Sequence, residues 1–151
     1  MRRLTAILLT VLAGPACRSP DAHDIPQAAQ VMLQDGKVVQ PATGDVAAGY
    51  VTIQNAADRP DTLVEVVAAF AASAEVHDQV EHDGMVHMEQ RPHLVIPAGG
   101  EVALTPGGLH VMFQQLRTPV VAGDVVAVTF RFSRAGDIPA EFPVVRYRDL
   151  P

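Results

Sequence analysis

The chain has 151 residues, 48% hydrophobic and 19% charged, which is the size of one ordinary domain plus a short leader. Eleven Lys and Arg stand against seventeen Asp and Glu, a net charge of -6 that excludes a nucleic-acid binder, whose affinity comes mainly from basic contacts to phosphate. Twelve prolines, eleven glycines and a single cysteine exclude a long helical bundle, a disulfide-stapled mini-protein and a zinc ribbon built on thiolates.

Residues 1–16 carry Arg2 and Arg3, then an apolar run, then small residues before Cys17, which is the layout of an export signal. The apolar run is shorter than the roughly 20 residues needed to span a bilayer. Cys17 has the position of a lipid-acceptor cysteine, although the aliphatic residue wanted three positions earlier is replaced by Gly14. The alternative is an ordinary secreted chain cut near Ala16. Without Arg2 and Arg3, 9 basic residues face 17 acidic ones, so the exported form carries a net charge near -8. Residues 17–29 read as a linker, and residues 30–151 as one domain.

That domain is a series of short apolar runs separated by turn residues. The clearest, Val125–Phe132, alternates Val126, Val128, Phe130 and Phe132 with more polar partners, a period of two. Similar runs cover residues 49–54, 62–68, 74–80, 85–89, 94–96, 101–104, 109–114 and 142–147. Turn signals fall at Asp35-Gly36, residues 55–60, Asp83-Gly84, residues 97–100, residues 106–108 and residues 122–124. This rhythm predicts an antiparallel sandwich or small barrel. The Ala-rich stretch 67–74 is compatible with one helical turn.

Histidines and methionines concentrate in one window, which holds His77, His82, His87, His93 and His110 with Met85, Met88 and Met112. In residues 109–113 the strand period puts Val111 and Phe113 on one side and His110 and Met112 on the other. Val76 points inward by the same rule, so His77 points outward. The Asp83-Gly84 turn then folds the next run back, bringing residues 85–88 within reach of His77. Imidazoles combined with polarizable thioethers suit Cu(I), whereas zinc would ask for thiolates or carboxylates and calcium for oxygen. Thioethers also need no deprotonation and cannot be oxidised to a disulfide, an advantage outside the cytoplasm.

Here the chain resembles the periplasmic PCu(A)C copper chaperones. Their signature is a His, ten residues, a Met, twenty-one residues, then His-x-Met; it is matched by His77, Met88, His110 and Met112 with both spacings kept. The resemblance extends over residues 49–145 and includes Ala48-Gly49-Tyr50-Val51-Thr52-Ile53 with Asn55, Asp61-Thr62-Leu63, Asp83-Gly84-Met85, and Pro106-Gly107-Gly108 before His110. It implies an all-β, cupredoxin-like Greek-key β-sandwich or barrel carrying one Cu(I) on those four residues. It further implies delivery to a copper-accepting protein, such as the cytochrome c oxidase copper subunit or a thioredoxin-like copper chaperone. The chain departs from the family in lacking a tryptophan before Tyr50. It also has no His/Met-rich tail after Tyr147, which weighs against a second copper site.

Several residues have plainer readings. Met32 reads as core filler, and Met85 as turn or core packing with spare ligand as the alternative. His82, His87 and His93 read as solvated surface residues, with copper uptake or a Cu(II)-binding conformer as the alternative; His23 lies in the linker. Glu75 and Asp78 flank His77 and are candidates to orient its ring. The acidic surface could steer docking to a basic partner.

A blue-copper electron carrier needs a cysteine thiolate, and the one cysteine belongs to the leader region. The serines outside the leader, Ser19, Ser73 and Ser133, lie in no nucleophile elbow, so no enzyme activity is expected. A copper-sequestering resistance protein and a purely structural β-sandwich are the remaining alternatives. The expected molecule is an extracytoplasmic monomer that touches a membrane only through a lipid on Cys17.

Overall fold

The computed structural model describes residues 30–42 and 44–150; the leader, Cys17 and the linker lie outside the described residues. Ten strands follow in order: β1 (Val31–Val39), β2 (Ala47–Asn55), β3 (Asp61–Val67), β4 (Ala71–His82), β5 (Met85–Gln90), β6 (Leu94–Ile96), β7 (Glu101–Leu104), β8 (His110–Leu116), β9 (Val125–Phe132) and β10 (Gly136–Val145). A 3-10 turn, Tyr147–Asp149, follows β10. The all-β reading therefore holds.

The strands pair in the order β5-β4-β8-β2-β1-β10-β9-β3-β6, with β7 sharing the β8 flank of β2. Strands distant in sequence are neighbours, as in β4 against β8 and β1 parallel to β10, so the sheet winds into a Greek-key sandwich. Alternation fills the interior. Val38, Val51, Ile53, Leu63, Ile96, Leu104, Val111, Phe113, Val128, Phe130 and Phe132 form its centre, all essentially buried. On β9 the inward residues are those that the period of two selects.

Four sequence expectations are corrected. Asp35-Gly36 is no turn between strands; it lies inside β1, where the register against β2 shifts between Gln34 and Lys37 and Asp35 has φ 54°. This is a bulge with one extra residue, and a side chain on Gly36 would collide with the Phe142 ring. Residues 71–74 form no helical turn, because Ala71, Ser73 and Ala74 pair with Leu116, Gln114 and Phe113 of β8. Met32 is not core filler. It is 43% exposed on β1, opposite Gln54. The last strand also begins earlier than its apolar run suggested, at Gly136, carrying Pro139 and Pro143 in the stretch before it meets β1 at Val144.

Two buried polar side chains hold the ends of strands. Asp61, 1% exposed, accepts from Thr62 N (2.7 Å), Ser133 Oγ (3.0 Å), Arg134 N (3.0 Å) and Ala135 N (2.9 Å), tying β3 to the β9–β10 turn. Asn55 donates from Nδ2 to the carbonyls of Arg59 (2.9 Å) and Ile96 (3.3 Å), while its Oδ1 accepts from Ala57 N (3.0 Å). Buried polar groups are tolerated when satisfied in this way.

Candidate metal centre

Strands β8, β4 and β5 position the His/Met set. On β8, Val111 and Phe113 are buried at 1% and 0% exposure, and Phe113 packs so closely over Gly49 that a Cβ there would lie 2.7 Å from its ring. These inward anchors force His110 and Met112 onto the outer face. Residues paired in an antiparallel ladder share a face, and His77 pairs with His110, Glu75 with Met112, and Gln79 with Met88. All four expected ligands therefore stand on one side of the sheet. Met112 has only the small Ala48 as its neighbour on β2.

Their spacing is unequal. His77 lies directly across from His110, their ring centroids 6.2 Å apart and their planes tilted by 38°. That gap accommodates an ion held at about 2 Å from one nitrogen of each ring. Met112 is two residues beyond His110 and diagonal to His77. Met88 is diagonal to His77 on the other flank, and in a flat ladder its Cα would stand about 16 Å from that of Met112, from two strand spacings and four residues of rise. Three donors are thus neighbours, and the fourth waits on an exposed edge strand, 51% accessible. Bringing both sulfurs to one ion requires the β4–β5 hairpin to curl over His77.

The ring nitrogens are already sorted by their partners. His110 is 6% exposed, and its Nδ1 lies 2.9 Å from the Gly108 carbonyl, which can only accept. The proton is accordingly assigned to Nδ1, leaving the Nε2 lone pair for a metal. In His77 the arrangement is reversed: Nε2 lies 3.0 Å from the Glu75 carboxylate, and Nδ1 is buried with no hydrogen-bond partner among the described residues. A buried, unpaired nitrogen lone pair is costly unless something binds it. Glu75 thus fills the orienting role expected of it, whereas Asp78 turns away to Arg91 at 3.1 Å.

Gln114 was not legible as part of the site. Its Nε2 donates 3.5 Å to Met112 Sδ and 3.5 Å to Glu75 Oε2, linking the thioether to the carboxylate that holds His77. A glutamine on an outward strand position carries no signal of its own. The alternation of β8 could have placed it beside Met112, but only the β4 register puts Glu75 within its reach. Supporting partners of metal ligands are typically worth 10–100-fold in affinity. Glu75→Ala should therefore weaken Cu(I) binding about 10–100-fold in a chelator competition, with Glu75→Gln recovering part of the loss; unchanged competition by both variants would remove Glu75 from the site.

The remaining residues separate cleanly. Met85 pairs with His82 and so projects from the opposite side of the hairpin to Met88; at 61% exposure it packs into no core. His82, His87 and His93 are exposed, as a solvated-surface reading requires.

Comparison with known proteins bears on the family and the fold. The model of the family described as "Putative lipoprotein LpqE-like" matches residues 31–144. The putative lipoprotein Lxx21020 of Leifsonia xyli subsp. xyli (strain CTCB07) is 30% identical over 141 residues, covering 92% of this chain and 85% of that relative. Among solved structures, the copper-bound PCuAC domain from PmoF2 superposes with a TM-score of 0.67 at 23% identity, over 78% of this chain and 93% of that domain. Apo-DR1885 from Deinococcus radiodurans is 28% identical with a TM-score of 0.60, over 94% of this chain and 97% of its own. Its CuI form gives 0.62 at 27% identity, over 80% and 83%. With the family model spanning nearly the whole β-domain and the fold shared with these domains, the chain belongs to the LpqE-like family, of PCuAC type.

Proposed function

We propose that this protein is an extracytoplasmic Cu(I) chaperone, held at the membrane by a lipid on Cys17. It takes one Cu(I) on His77, Met88, His110 and Met112 and passes it to a copper enzyme, the binuclear copper site of cytochrome c oxidase. It performs no catalysis of its own. The observation that carries this reading is the buried, unpartnered Nδ1 of His77 facing the same side of the sheet as His110 and two thioethers. Support also comes from the CuI form of DR1885, a similar protein.

The donor chemistry explains the choice of cargo. Two neutral imidazoles and two thioethers bring no charge, so a monovalent ion is less penalised there than a divalent one. The ion first meets His77, His110 and Met112; Met88 then closes over it. Handover proceeds by ligand substitution to an acceptor of higher affinity, a thiolate-bearing copper domain of the oxidase or a thioredoxin-like copper chaperone.

The direct test mixes the Cu(I)-loaded chain with the apo copper domain of the oxidase and follows the metal after separation. Copper should move to the acceptor. Copper that stays put would favour a sequestering protein instead, and failure to load at all would remove the copper reading.

A further inference from the structure

The β4–β5 hairpin has a second side. Met88 shares the face of His77, but the pairs Val80–His87 and His82–Met85 project from the reverse. Nearer the core that reverse face buries Val76 and half-buries Val80, whereas toward the turn His82, Met85 and His87 are all exposed. His82 and His87 occupy diagonal register positions, with Cα atoms about 7–8 Å apart, within reach of a common ion for two imidazoles.

The two rings flank one open cleft of about 380 Å³, lined by Val80, Glu81, His82, His87 and Glu89. His82 Nε2 lies 3.7 Å from the Asp83 carboxylate, while Glu89 is engaged at 3.4 Å by Arg91. The His87 side chain makes no hydrogen bond or ion pair among the described residues. His87 is therefore unengaged, His82 is held only by that exposed contact, and the charge around them is acidic.

We propose that His82 and His87 form a second metal site on the reverse face of the hairpin, taking a borderline divalent cation, with Cu(II) bound most tightly. Imidazole suits Cu(II) and Zn(II), and Cu(II) heads the affinity order of the divalent first-row metals. Met85, opposite His82, contributes little, because a thioether is a poor ligand for a divalent ion. Among the described residues no three His, Cys, Asp or Glu side chains are gathered into a cage. The protein thus supplies two nitrogens and water fills the remaining positions, which makes the site shallow and exchangeable. It shares no ligand with the Cu(I) centre and does not depend on that reading.

The test titrates the full chain with Cu(II) chloride in a His77→Ala background, which removes an imidazole of the other face. Electron paramagnetic resonance should report one Cu(II) with two nitrogen ligands, and His82→Ala or His87→Ala should each weaken binding at least about tenfold. Zn(II) should compete for the same place more weakly. Both positions are exposed near the hairpin turn, so the variants should fold, which circular dichroism checks, and their Cu(I) loading should be unchanged. No Cu(II) uptake by the His77→Ala protein, or uptake that neither histidine substitution alters, overturns the proposal.

Discussion

Replacing Met88 and Met112 together by alanine should reduce Cu(I) affinity by more than about a hundredfold in competition with a Cu(I) chelator, beyond what loss of a supporting partner costs. The two imidazoles would remain, but two nitrogens alone hold a soft monovalent ion poorly. The single variants should differ. Met112 adjoins the His77–His110 pair, so its loss should cost more than the loss of Met88, which must first be brought in from the edge strand. Neither change disturbs the core, since Met88 is half exposed and Met112 lies on the outer face. Full competition by the double variant would refute thioether ligation.

The largest stability effect should come from Asp61→Ala. Its carboxylate accepts four hydrogen bonds, three of them from backbone N–H groups, while only 1% exposed. Truncation leaves those donors without their acceptor, fully buried for Ala135 N and partly buried for the other three. Each unsatisfied buried group costs about 1–3 kcal/mol. A total of about 3–5 kcal/mol is expected, a large share of the roughly 5–15 kcal/mol that holds a domain folded. Denaturant midpoints read this directly. Asp61→Asn, which keeps one acceptor oxygen, should fall between the two, and a loss below about 1 kcal/mol for alanine would show that water replaces the carboxylate.

Much of this architecture could be read from alternation alone. Leu94–Ile96, Glu101–Leu104 and Val125–Phe132 coincide with observed strands because apolar residues, turn glycines and prolines all agree there. β1 escaped because its polar middle and Asp35-Gly36 look like a turn; the bulge that accommodates them exists only against β2 and Phe142. Residues 71–74 favour helix locally, but pairing with β8 overrides that preference. Within the site, the period of two selects the face of His77, His110 and Met112, and the short Asp83-Gly84 turn, with φ values of 53° and 74°, sets the register that separates Met88 from Met85. What one strand's pattern cannot give is a contact across strands, and the Gln114–Glu75 link is of that kind.

Among the described residues β5 pairs only with β4, and all six of its residues are exposed. Such a strand belongs to the part of a protein that opens most readily, since few buried contacts resist its fraying. If Met88 docks on a cargo ion as proposed, that step would have to offset the entropy of ordering that margin, which would lower grip and shorten residence. In the proposed carrier role this would be an advantage: the outermost sulfur would let go first, baring one side of the ion toward whichever acceptor approaches from solvent while the inner donors keep it from escaping.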